Sequence, residues 1–135
     1  MKNLPNQFFY SKEEDRLNVI SHGIGFILSM IGLIFLLNKG LQDFNLLRFL
    51  SFLIYGISLS TMYIASTLYH NSKTPEGRYK FRLFDMISIY LLIAGSYTPF
   101  TLTVLIDSGG FTLFLLVWVI AFIGIIWKIF TVGNY

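Results

Sequence analysis

Cysteine is absent from this 135-residue chain. Disulfides and thiolate metal sites are therefore excluded, which leaves His, Asp and Glu as the ligand types a metal could find here. Histidine is itself scarce, at two residues, His22 and His70. Charge is thin as well. Only 13% of residues are Asp, Glu, Lys or Arg, against roughly a quarter in soluble domains. Nor does the N-terminus read as a secretory signal. Mostly polar residues precede the first apolar run, that run is too long for an h-region, and no small-residue cleavage site follows it.

What the chain has in quantity is apolar surface, with 55% hydrophobic residues. Four long apolar runs cover about 19–38, 48–70, 82–106 and 110–130, and a helix needs about 20 such residues to cross the hydrocarbon of a bilayer. Little is left over from which to build a soluble core. The expected architecture is all-α, a polytopic transmembrane helical bundle whose short connections favour packing between sequential neighbours. It divides into a cytoplasmic interfacial segment, 1–18, and a transmembrane domain, 19–135.

The basic residues set an orientation. Lys2, Lys12 and Arg16 precede the first run, Lys73, Arg78, Lys80 and Arg82 crowd the second loop, and Lys128 closes the fourth run, whereas only Lys39 and Arg48 flank the first loop. Short loops rich in Lys and Arg stay on the cytoplasmic side, so the N-terminus is expected inside, in the cell membrane. The positive net charge is thus explained by topology, and a nucleic-acid partner is not expected. Membrane lipids are.

That orientation gathers the scattered polar residues at one depth. Asn18 and His22 open the first run, Ser66 and His70 close the second in YIASTLYHNS, and Asp85 opens the third in RLFDMISIY. Each has a plain alternative. Asn18 could cap a helix, and Glu13 and Glu14 suit a helix N-terminus. Either histidine could be an interfacial imidazole, and Ser66 could bond its own i−4 carbonyl. Asp85 could pair with Arg82 or Arg78. Yet a carboxylate inside a span costs about 2.5–3.5 kcal/mol at the bilayer centre and marks a functional candidate. Two histidines and a carboxylate on one face are a plausible set of ligands, or of groups supporting them, for Zn²⁺.

Elsewhere, Gly25/Ser29 and Gly56/Ser60 carry the four-residue small spacing that lets helices approach closely. They could serve packing within the chain or self-association into a homo-oligomer. In GSYTPF, Pro99 removes an amide donor and displaces the carbonyl of Gly95, with Ser96 and Thr98 at hand to compensate.

Asn18 with SHGIG, then STLYH, then FDMISIYLLIAGSYTPF together resemble the bacterial hemolysin III-like membrane proteins. These are relatives of the progestin and adipoQ receptors and, more distantly, of the alkaline ceramidases. The resemblance runs from about residue 12 to the end. It implies a seven-helix fold with zinc near the cytoplasmic face, ligated by His70 and by two histidines of an HxxxH motif in the last helix. It also implies that Asp85 holds or activates a zinc-bound water, that Ser66 supports it, and that Asn18 and His22 belong to a first-helix E…N…H signature with Glu14 or Asp15 as the acidic member. Two functions follow as expectations: zinc-dependent hydrolysis of a lipid amide or ester, or a non-enzymatic haemolytic, membrane-perturbing or membrane-regulating action. This sequence carries no HxxxH, so two family ligands are absent from it. The ending WKIFTVGNY reads as the start of a cytoplasmic loop leading to a fifth helix, and the expectation is a fragment, a truncated gene product or a chain that finds its remaining ligands elsewhere.

Overall fold

The computed structural model describes residues 10–42 and 44–131. Four long helices follow one another: α1 (Lys12–Leu41), α2 (Leu46–Asn71), α3 (Pro75–Pro99) and α4 (Gly110–Thr131). A π-helical turn, Phe100–Val104, extends α3, and a short 3-10 turn, Ile106–Ser108, leads into α4. The described residues contain no strand. All four helices are long and apolar enough to cross a membrane. Residues 1–9 of the expected interfacial segment and the last residues of WKIFTVGNY lie outside the described part.

The helix starts are set by local chemistry. Ser11 caps α1 in a reciprocal box: its hydroxyl accepts from the Glu14 amide at 3.2 Å, and the Glu14 carboxylate accepts from the Ser11 amide at 2.9 Å. Asn45 caps α2 and Thr74 caps α3, where Pro75 occupies the first turn without losing a needed donor. Asn18 is therefore not a cap but an interior residue of α1. Pro75 also starts α3 well before the apolar run at 82, because the capping residues precede the lipid-soluble stretch. Gly109, at φ 85°, makes the reversal before α4.

Packing runs between sequential neighbours, α1 on α2, α2 on α3, and α3 with the π turn on α4. The seams are small and polar. Ser29 and Ser60 share a buried hydrogen bond of 2.9 Å across α1 and α2. Gly25 lies against the Tyr63 ring and Gly56 against Leu33, so the small-residue pairs serve packing within the chain. Across α2 and α3, Gly95 leaves room only for the side chain of Ser58.

Ser51, Ser88, Thr98 and Thr101 are the largest side chains that are fully buried, whereas Phe35, Ile120, Ile123 and Phe130 stand outward. This distribution inverts that of a soluble protein. It suits lipid, where apolar side chains need no burial and small polar ones make the helix contacts. Pro99 does not end α3 in a loop. The chain widens into i→i+5 geometry, closed by Leu105 N–H to the Phe100 carbonyl at 2.9 Å. Nearby hydroxyls bond backbone carbonyls other than that of Gly95: Thr98 to Ala94 at 2.8 Å, Ser96 to Ile93 at 2.8 Å and Thr101 to Tyr97 at 3.0 Å. The indole N–H of Trp118 then donates to the Thr98 hydroxyl at 3.1 Å, which ties α4 to this turn.

Candidate functional site

The antiparallel sequence of helices brings the start of α1, the end of α2 and the start of α3 together. On α1, Asp15, Asn18 and His22 fall three and four residues apart, along one face. His70 ends α2 opposite them, one turn beyond Ser66, and α3 supplies Arg78 and, two turns on, Asp85.

His70 is the hub. Its Nδ1 lies 2.9 Å from Asp15 Oδ1 and 3.5 Å from Asn18 Nδ2. One ring nitrogen cannot serve both, since the first contact asks it to donate and the second to accept. The shorter, charge-assisted carboxylate contact prevails. In that tautomer Nδ1 carries the proton and Nε2 keeps its lone pair. The imidazole is nearly enclosed, with 9% of its side chain exposed. Tyr10 and Tyr69 stand against it at ring-centroid separations of 5.2 Å and 4.8 Å.

Asp15 is in turn held by Arg78, which donates from one guanidinium nitrogen to Oδ1 at 2.9 Å and from the other to Oδ2. Asp15 sits in the first turn of α1, ahead of the apolar run. Burial pushes its carboxyl up, but the hydrogen bonds from Arg78 and His70 and the charge of Arg78 outweigh this and hold it below the usual carboxylate range. Arg78 also lies over the Tyr69 ring, 5.2 Å from its centroid.

Asp85 lies in the neighbourhood of Ser66, His70 and His22. The imidazole near the end of α2 and the carboxylate nearly three turns into α3 thus share one polar region. The His22 ring lies near-parallel to that of His70, with centroids 6.3 Å apart, and at 5.9 Å from Tyr63. Its buried Nδ1 has no hydrogen-bond partner. The candidate residues Asn18, His22, Ser66, His70 and Asp85 are therefore brought together. Of the two alternative partners for Asp85, Arg78 pairs with Asp15 instead. The acidic member facing the cluster is Asp15, while Glu14 is occupied in the helix cap.

This arrangement fits one metal-ligand position. A ligating histidine typically gives its other ring N–H to a carboxylate, which is the Asp15–His70 relation, with Nε2 free to bind. It does not complete a metal centre. Among the described residues, no group of three or more His, Asp or Glu side chains is placed to hold an ion. Sequence reasoning missed the Arg78 clamp and the two tyrosines around His70. Arg78 stood only as a basic loop residue and an alternative partner for Asp85, and nothing local signals a partner 63 positions away.

The family model described as "Haemolysin-III related" matches residues 10–134. Among curated proteins, the chain is 41% identical over 123 residues to "Hemolysin-3" of Bacillus cereus, covering 91% of this chain and 56% of that protein. It is 38% identical over 126 residues to "Hemolysin-3 homolog" of Bacillus subtilis (strain 168), covering 93% of this chain and 59% of that one. The chain thus spans a little over half the length of these relatives. No solved structure matches it.

Proposed function

The chain belongs to the haemolysin-III-related family of multi-pass membrane proteins, and from that premise we propose that its interhelical polar cluster is part of a zinc site at the cytoplasmic face. His70 is the ligand, through Nε2. Asp15, clamped by Arg78, is the group that fixes its tautomer. Asp85 and Ser66 form the water-holding side of the site, and Asn18 and His22 position the imidazole. The contact of Asp15 with His70 at 2.9 Å carries this reading, because it leaves Nε2 as the nitrogen free for a metal. The remaining ligands come from outside the residues described.

The reaction class such a site would serve is hydrolysis of a lipid amide or ester. Metal analysis of the protein purified together with the segment or partner that supplies the remaining ligands, with and without His70→Ala, tests the proposal. The expected result is bound zinc that falls at least several-fold in the variant. Equal zinc in both, or none in either, overturns it.

A second reading draws on the printed names of the relatives, "Hemolysin-3" and "Hemolysin-3 homolog", and on the outward apolar side chains. Here the protein perturbs or regulates the bilayer without catalysis, by self-association in the cell membrane. Leakage from erythrocytes or liposomes discriminates the two. Lysis that persists in a His70→Ala/Asp85→Ala double variant favours the second, and lysis lost with the cluster favours the first.

A further inference from the structure

Beside His70, an open cavity of about 940 Å³ lies between the start of α1 and the end of α2, within the ~300–1,000 Å³ typical of small-molecule sites. It takes in Asp15, His70 and Arg78, but Ser66, His22 and Asp85 are not in its wall. Four cations line it, Lys12, Arg16, Lys73 and Arg78, against the single carboxylate of Asp15. That carboxylate is already neutralised by the bidentate hold of Arg78. Among the described residues, Lys12, Arg16 and Lys73 have no acidic partner and stand exposed.

The wall from α1 is a single stripe, Lys12, Asp15, Arg16, Val19 and Ile20, at the spacing that keeps residues on one helical face. Its polarity changes along the axis. Over roughly 12 Å it runs from ammonium and guanidinium groups to the aliphatic side chains that open the membrane-spanning stretch. An anion with an attached apolar tail matches this gradient; a free anion uses only its upper part. We propose that this cavity seats an anionic phospholipid, its phosphate held by Lys12, Arg16 and Lys73 and the start of an acyl chain lying along Val19 and Ile20. Basic pockets between membrane helices commonly take such head groups. The site adjoins the proposed zinc ligand through Asp15 and His70, but its test is separate, since none of these three cations has a role in the zinc reading.

Native mass spectrometry of the purified chain in detergent, with equal phosphatidylglycerol and phosphatidylcholine, tests it. Phosphatidylglycerol is expected to be retained in preference. Each juxtamembrane cation contributes about five-fold, so Lys12→Gln/Arg16→Gln/Lys73→Gln should lower that retention by more than about ten-fold. Lys12→Arg/Lys73→Arg should preserve it, as should Lys39→Gln/Lys128→Gln, which removes charge elsewhere. Excess inorganic phosphate should leave the lipid bound. Equal retention of the two lipids, an unchanged triple variant, or displacement of the lipid by inorganic phosphate overturns the proposal.

Discussion

At His70, three helices meet on one imidazole. Asp15 takes its Nδ1 at 2.9 Å from α1, the ring itself closes α2, and Arg78 of α3 holds Asp15 in place. The guanidinium side chain is 5% exposed and the carboxylate 18%, so neither charge has much water to fall back on. Breaking such a pair from one side costs about 3–5 kcal/mol. Arg78→Ala should therefore destabilise the protein by roughly 3 kcal/mol, read as a shift in its denaturation midpoint. Adding Asp15→Asn should recover part of that loss, because the uncompensated carboxylate is then gone. Additive losses in the double variant would show that the two side chains do not couple. Asp85→Asn, by contrast, should change stability little and function strongly, as expected for a carboxylate that a site needs and the packing does not. His70, Ser66 and Asp85 were legible in the sequence because each is a polar residue interrupting an apolar run. Asp15 stood only as the alternative to Glu14 that the resemblance implies, and Arg78 only as an alternative partner for Asp85, since each sits among other charges where one more carries no local signal.

Among the elements, the seam between α1 and α2 shows how polar contacts replace hydrophobic ones in lipid. The Ser29–Ser60 bond is short and buried, yet such bonds average only about 0.6 kcal/mol in membrane proteins, because the separated helices find other partners. Ser60→Ala should cost about that much. Gly56→Leu should cost more, about 1–3 kcal/mol or a rearranged seam, since Leu33 occupies the space a side chain would need. Comparing the two in a steric-trap or SDS-unfolding measurement checks the order, and a costlier serine variant would contradict it. The close-packing role of Gly25, Ser29, Gly56 and Ser60 could be seen in their four-residue spacing, though which helix each would meet could not. Helix boundaries were less visible. Apolar runs report the stretch in lipid, while Ser11, Asn45 and Thr74 set where the helices begin. Pro99 announced a local distortion, but its resolution as a π turn depends on Thr98, Thr101 and Trp118 packed around it, a tertiary arrangement with no linear signature.

The molecule as a whole has two unlike ends. The end holding the start of α1, the end of α2 and the start of α3 carries the cluster and the cationic cavity; the other carries the short turns around Asn45 and Gly109. All-helical architecture and sequential packing follow from hydropathy and loop length, and were legible for that reason. The convergence of Asp15, Asn18, His22, Ser66, His70, Arg78 and Asp85 at one end is a consequence of that up-and-down path, which turns residues distant in sequence into neighbours. Both the zinc reading and the lipid site require this end to face the cytoplasm. Because the chain has no cysteine, single thiols can report it without background. Ser11→Cys, Lys73→Cys and Asp107→Cys, each probed in sealed cells with a membrane-impermeant maleimide, give the most direct test. The account predicts that Asp107→Cys is labelled from outside, whereas Ser11→Cys and Lys73→Cys react only after the cytoplasmic surface is exposed. Labelling of Ser11→Cys and Lys73→Cys from opposite sides of the membrane, or of both from outside, would contradict it.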